Sequence, residues 1–268
     1  MTTQQSKGTA LITGASTGIG AVYADRLARR GFDLILVARD QQKLDALAAR
    51  LRKETGRAVS TLKADLTVAA DLRTVERRLA EDSRITMLVN NAGVGATAPL
   101  LESKVEDLDR MISLNVIALT RLTHAAAPGF AARGNATIIN IASIVAIAPE
   151  VLNGSYGGSK AYVLALTQSM HKELGDKIRV QAVLPGATST AFWDVAGTPV
   201  QYLPQEIVMT AEDMVDAALA GLDQGEVVTI PSLPDLAEWE RFNAARMEMA
   251  TRLSRNTPAA RYLTEKVQ

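Results

Sequence analysis

The sequence predicts an α/β fold in three layers, a doubly wound parallel sheet of about seven strands with helices on both faces. Three observations carry that expectation. Short apolar runs alternate with segments whose apolar residues recur at helical spacing. The stretches between successive runs are long enough for helical crossovers, which set the strands parallel. A glycine-rich run, Gly14-Ala15-Ser16-Thr17-Gly18-Ile19-Gly20, stands between the first strand and the first helix.

Thr9 to Thr13 is the first strand. The glycines after it let the backbone approach a pyrophosphate, and the helix from Ala21 to Arg30 offers free N–H groups at its start. The same glycines would also serve a tight turn. Gly31 ends the helix, and Leu34 to Val37 reads as a buried parallel strand. A polar-faced helix from Gln41 to Lys53, a strand from Ala58 to Leu62, Asp65, a helix from Val68 to Glu81 and a strand from Thr86 to Val89 follow. Asn90-Asn91-Ala92-Gly93 falls at the C-terminal end of that strand, the edge where open α/β sheets bind ligands.

The long helical region from Glu102 to Arg133 is expected to bend near Pro128-Gly129, and Asn115 in its apolar middle must find partners for its amide. Ala136 to Ile141 is the fifth strand and delivers Ser143 to the same sheet edge. Tyr156 to Leu174 is a helix whose Ala161 to Leu166 stretch is apolar almost all round. One face covers the sheet; the other is expected to meet a second subunit, or else the chain's own C-terminal segment. Ile178 to Leu184 forms the sixth strand and leads into Pro185-Gly186. Residues 187–209 lose periodicity and read as a substrate lid, in which Phe192 and Trp193 either close over an apolar ligand or pack inward. A helix starting at Thr210, a seventh strand from Glu226 to Ile230, and a helix from Asp235 to Leu253 complete one domain over residues 1–268, with 235–268 as a helical extension.

Composition narrows the function classes. Lys plus Arg and Asp plus Glu number 29 each, so no global field points to nucleic acid or to a membrane surface. There is no cysteine, which removes disulfides, cysteine nucleophiles and cysteine-ligated metals. The two histidines, His124 and His171, lie too far round or along their helices from Asn115 and Tyr156 to share a site, and no metal is assigned. Met1 to Gly8 lacks an apolar signal core and no run is long enough to span a bilayer, so a cytoplasmic protein is expected.

Tyr156 and Lys160 are four residues apart, hence on one helix face. A nearby ammonium favours a phenolate, so Lys160 is expected to lower the pKa of Tyr156 and make it an acid or base. Ser143 could hold a carbonyl or hydroxyl oxygen beside it.

The glycine loop, the Asn-Asn-Ala-Gly turn and the Ser, Tyr-x-x-x-Lys group, in this order, resemble the short-chain dehydrogenase/reductase family from about Lys7 to Ala220. The resemblance implies a Rossmann-type sheet of order 3-2-1-4-5-6-7 and a nicotinamide cofactor across its C-terminal edge. Gly14, Ser16, Thr17, Gly18, Ile19 and Gly20 would surround the pyrophosphate. Asp65 and Leu66 would lie at the adenine, Asn90, Asn91, Ala92 and Gly93 along the cofactor, and Pro185, Gly186, Thr188 and Thr190 near the nicotinamide. Asn115, Ser143, Tyr156 and Lys160 match the catalytic four. Tyr156 would exchange the proton, Ser143 polarise the oxygen, Lys160 hold the ribose hydroxyls, and Asn115 hold a water leading from Lys160 to solvent.

The second strand ends in Ala38-Arg39, and an arginine there suits the extra phosphate of NADP; Asp40 reads as the N-cap of the next helix rather than a ribose acid. NADP(H) is therefore expected over NAD(H). The expected activity is hydride transfer between NADP(H) and a small or medium organic carbonyl or alcohol in a homodimer or homotetramer, with Phe192, Trp193 and Val195 hinting at an uncharged ligand. A non-catalytic NADP-binding regulator is the alternative on the same fold.

Overall fold

In this computed structural model, residues 6 to 263 are described, apart from the side chains of Asp194 and Val195. The apolar lid position Val195 thus lies outside the described side chains. Two compact units divide the chain, Met1–Pro231 and Ser232–Gln268.

In the first unit β1 (Thr9–Thr13), β2 (Asp33–Ala38), β3 (Val59–Lys63), β4 (Ile85–Asn90), β5 (Ala136–Ile141), β6 (Ile178–Val183) and the two-residue β7 (Val228–Thr229) alternate with helices. Among the described residues these strands form one sheet in the order β3-β2-β1-β4-β5-β6-β7, with parallel pairing throughout. Strand residues alternate between its two faces. Ala10, Ile12, Leu34 and Leu36 join the core under α1 (Gly18–Arg29), α2 (Gln41–Thr55) and α8 (Ala211–Gln224). Leu11, Ile35 and Val37 join the opposite core under α3 (Ala69–Glu81), α5 (Leu119–Arg133) and α6 (Gly154–Leu174). Burial of both faces explains why the inner strands read as apolar runs, whereas the edge strand β3, with Ser60 and Lys63 exposed, does not.

Between α4 (Val105–Ile112) and α5, Ser113–Ala118 is a π-helical turn. The departure from α geometry thus sits at Asn115, while α5 continues through Pro128 to Arg133. Wider turns of this kind occur mostly as insertions in α-helices and often at functional positions. The aperiodic stretch after β6 also holds more order than expected: α7 (Phe192–Ala196) and two 3-10 turns, Val200–Tyr202 and Gln205–Ile207. Helix α1 is tied to α2 and α8 by charge. The buried Asp25 carboxylate accepts hydrogen bonds from Arg26, Arg29 and Arg50, and Arg26 forms a bidentate pair with Asp216. Burial works against the Asp25 charge, but the arginines prevail and hold its pKa below the ordinary carboxylate value.

The second unit carries α9 (Leu236–Ala250), whose Asp235 N-cap accepts from the Ala237 N–H and whose Trp239 ring tilts against Phe242 at 5.6 Å.

Candidate active site

Three strand ends and the start of α6 build the site. At the end of β1, Gly14 and Gly18 take positive φ, and a side chain on Gly14 would meet the Ala92 backbone at 2.9 Å. The Asn91 amide donates to the carbonyls of Thr13 and Gly14, and the Thr13 hydroxyl accepts from the N–H groups of Asn91 and Ala92. The glycine loop and the Asn-Asn-Ala-Gly turn are thereby one rigid unit. Thr17 caps α1 by position without a side-chain hydrogen bond. Ser16, Gly18 and Ile19 remain partly exposed there. Asn90 departs from expectation. It points into the core instead of lining the edge, donating to Thr123 at 3.0 Å and to Asn140 at 2.9 Å, because a residue one position along a strand faces the opposite side.

Ser143 follows β5. Its hydroxyl donates to the Pro185 carbonyl and accepts from the Val145 N–H, both at a long 3.4 Å, and it stands near enough to the Tyr156 hydroxyl to favour that group's ionised form. Asn153 places Tyr156. Its carboxamide oxygen accepts from the Ser155 and Tyr156 N–H groups, and its amide donates to Ala98 and Ser103 across the cleft wall. The sequence carries this signal, since asparagine immediately before a helix is a strong N-cap; its catalytic consequence appears only once the helix start is seen to hold Tyr156. Lys160, one turn on, is buried, lies 5.8 Å from the Tyr156 ring centroid and donates to the Ile141 carbonyl at 2.8 Å.

The electrostatics reverse one expectation. Burial pushes Tyr156 up to about 12, opposed by the nearby Ser143 hydroxyl, and burial pushes Lys160 down to about 8. Desolvation dominates at both groups and outweighs any pull of Lys160 on the Tyr156 proton.

Asn115 is likewise committed inside the protein. Its amide donates to the Val94 carbonyl at 2.8 Å and to Ser159 at 3.1 Å, and its oxygen accepts from the Val94 N–H at 3.0 Å. The side chain therefore clamps the turn after Gly93 to α6, and does not itself present a free amide to a water.

Beyond β6, Pro185 and Thr188 are buried, Gly186 and Thr190 partly so, and the Thr190 methyl faces Gly18 across the loop. Trp193 packs inward, donating to the Thr188 carbonyl at 2.9 Å, whereas Phe192 meets the Tyr156 ring at 5.9 Å. Met111, Val145 and Tyr156, with Val94, Ala96, Leu108, Leu152 and Phe192, make one side of the site apolar.

At the edge of β2, Arg39 is exposed, and the Asp40 carboxylate accepts from the Lys43 N–H as the N-cap of α2. Asp65 accepts from Thr67; burial opposes its charge, but these bonds and the nearby Arg39 hold its pKa low, beside the buried Leu66. Among the described residues no hydrogen bond or ion pair joins His124 or His171 to these groups, no cluster of His, Asp and Glu is suited to a metal, and no helix is long and apolar enough to cross a membrane.

A nicotinamide dinucleotide suits this edge. The glycine turn opens onto the uncapped start of α1, and among the described residues Lys160 is a buried cation without an anionic partner. Such a group calls for a polar ligand with hydroxyls or negative charge.

Comparison with known proteins agrees. Residues 8–199 match the family model described as short chain dehydrogenase. A short-chain dehydrogenase from Sphingobium yanoikuyae, solved in complex with NADPH, is 50% identical, with TM-score 0.93 over 96% of this chain and 100% of that one. The bulky-bulky ketone specific alcohol dehydrogenase from Comamonas testosteroni is 45% identical, with TM-score 0.89 over 97% of this chain and 100% of that one. A very-long-chain 3-oxoacyl-CoA reductase of Anas platyrhynchos is 34% identical over 186 residues, 68% of this chain but only 60% of that protein's length. With the fold, the strand order and the family match in agreement, the chain belongs to the short-chain dehydrogenase/reductase family of oxidoreductases.

Proposed function

We propose that the protein is an NADP(H)-dependent carbonyl reductase, run in reverse as an alcohol dehydrogenase, for ketones of small to medium size with an apolar substituent. The observation that carries this reading is the Ser143 and Tyr156 hydroxyl pair, brought together at the end of β5 beside an apolar cluster that includes Met111, Val145, Val94 and Phe192. The nicotinamide supplies the hydride when bound.

The chain's own residues supply position and protons. Tyr156, with a pKa of about 12 in the free protein, is fully protonated at neutral pH and is set to give its proton to a carbonyl oxygen as negative charge develops there. Ser143 donates to the same oxygen and fixes it. Lys160 would hold the ribose hydroxyls, and Asn115 acts by position, keeping the Gly93-Val94 turn against α6. The glycine loop and the start of α1 would hold the pyrophosphate, and Pro185, Gly186, Thr188 and Thr190 would face the nicotinamide. Arg39, with Asp40 spent on the α2 N-cap, favours the 2′-phosphate of NADP. The NADPH held by the Sphingobium relative and the ketones named for the Comamonas one support cofactor and substrate class. Tyr162, half-exposed on the apolar stretch of α6, supports a homodimer or homotetramer built on that helix. The segment 187–209 acts as the substrate lid.

The test is NADPH oxidation over aliphatic, aryl and sugar carbonyls, with Ser143→Ala alongside. The proposal expects turnover of apolar ketones, falling about 100-fold or more in the variant with NADPH binding kept. Preference for charged sugar phosphates would overturn it.

A further inference from the structure

Gly95 stands in a loop where its backbone does not require glycine, since its φ lies outside the left-handed region that the chain's positive-φ glycines occupy. Space requires it instead. A Cβ at position 95 would lie 2.2 Å from Cζ of Phe192, and within 3.0 Å of two further atoms of that ring. The ring that fills this notch also lies 5.9 Å from the ring of Tyr156, tilted by 46°.

Phe192 is held there by its ring neighbour and by the ties of its helix. The buried Trp193 meets it edge to face at 5.7 Å and is itself anchored through its indole N–H to the Thr188 carbonyl. At the far end of the short helix, the Thr97 hydroxyl and N–H both donate to the Ala196 carbonyl, at 2.6 and 3.2 Å, and the Thr198 hydroxyl lies 3.2 Å from that of Thr97. The loop carrying Gly95 and Thr97 and the helix carrying Phe192 therefore close on each other beside Tyr156. A group attached to a carbonyl held at Ser143 and Tyr156 must share this volume with the Phe192 ring.

We propose that Phe192, seated on Gly95, is the specificity-determining residue that limits the bulk of one substituent on the carbonyl. The proposal rests on the reductase reading above. It goes beyond that reading in assigning one compartment of the site to one ring and to the glycine that receives it. Phe192 acts by occupying space, and Gly95 acts only through Phe192.

That dependence gives the test. Wild type, Phe192→Ala, Gly95→Ala and the double variant are compared by the ratio of kcat/KM for a diaryl ketone to that for butanone. Removing the ring raises the ratio about tenfold or more, the usual scale of steric discrimination in an apolar pocket. Gly95→Ala displaces the ring and shifts the ratio about threefold or more, but shifts it less than about twofold when Phe192 is already alanine, because the two residues form one contact. Phe192→Leu, which keeps apolar bulk without the ring, falls between wild type and Phe192→Ala. Melting curves of the four proteins show the same coupling, Gly95→Ala lowering Tm only where the ring is present. A ratio unmoved by Phe192→Ala, or equal effects of Gly95→Ala in both backgrounds, overturns the assignment alone. A wild type that reduces no ketone while binding NADPH overturns the reductase reading and this assignment with it.

Discussion

Replacing Lys160 by methionine should make the ligand-free protein more stable and its cofactor site worse. Lys160 is buried, its described hydrogen bond goes to the Ile141 carbonyl, and burial brings its pKa from 10.5 to about 8. A displacement of that size corresponds to a cost on the order of 3 kcal/mol for keeping the charge inside. The sign with pH follows from proton linkage. Below pH 8 the folded and unfolded chains both carry the charge, so the whole cost applies. From about pH 8 to 10.5 the unfolded chain binds more protons, and stability rises with pH as the cost disappears. Methionine has similar length and no charge, and its substitution loses one hydrogen bond of about 1 kcal/mol. The net expectation at pH 7 is a gain of about 2 kcal/mol, or roughly 4–8 °C in Tm. Thermal unfolding of wild type and Lys160→Met without cofactor, at pH 7 and again near pH 10.5, measures this, with NADPH titration of both proteins alongside. The gap should close at the higher pH, and the variant should bind NADPH more weakly. A variant less stable than wild type at pH 7, or a gap equal at both pH values, refutes the reasoning.

Arg39→Ala should raise KM for NADPH about tenfold or more while leaving KM for NADH nearly unchanged, read from initial rates with each cofactor. Asp25→Asn should cost about 2 kcal/mol in urea unfolding at pH 7, by leaving Arg26, Arg29 and Arg50 without their shared carboxylate. Because the folded-state pKa of Asp25 is lowered, its contribution is present above the ordinary carboxylate pKa and disappears as pH falls through the folded value, so the variant and wild type should converge in acid. Asn153→Ala removes the N-cap of α6 and two bonds to the opposite wall; it should cost about 1 kcal/mol and lower kcat more than it raises KM, since it displaces Tyr156 rather than a binding surface.

The sheet was legible because its inner strands are buried on both faces and so appear as apolar runs, and because the glycine turn fixes where the first crossover begins. The four residues Asn115, Ser143, Tyr156 and Lys160 do converge at one sheet edge, as their placement after β5 and on α4 to α6 requires. What the sequence could not reveal depends on neighbours far along the chain. Asn90 and Asn91 are adjacent and chemically identical, yet one bonds Thr123 and Asn140 in the core and the other bonds the glycine loop. The pairing of Phe192 with Gly95 spans almost a hundred residues and leaves no local pattern. The sign of the Tyr156 shift also escaped, because spacing reports that Lys160 is close but not that both groups are dry. The aperiodic stretch after β6 concealed α7, whose five residues are too few to show a helical period.

The role of Tyr156 is tested most directly by NADPH oxidation with wild type and Tyr156→Phe on the best apolar ketone, with NADPH affinity measured for both. Loss of the hydroxyl should lower kcat by about three orders of magnitude or more and leave the affinity within about twofold, since the proton donor is gone and the cofactor cradle is not. A phenylalanine variant that turns over within about tenfold of wild type would contradict the account and place the proton donor elsewhere.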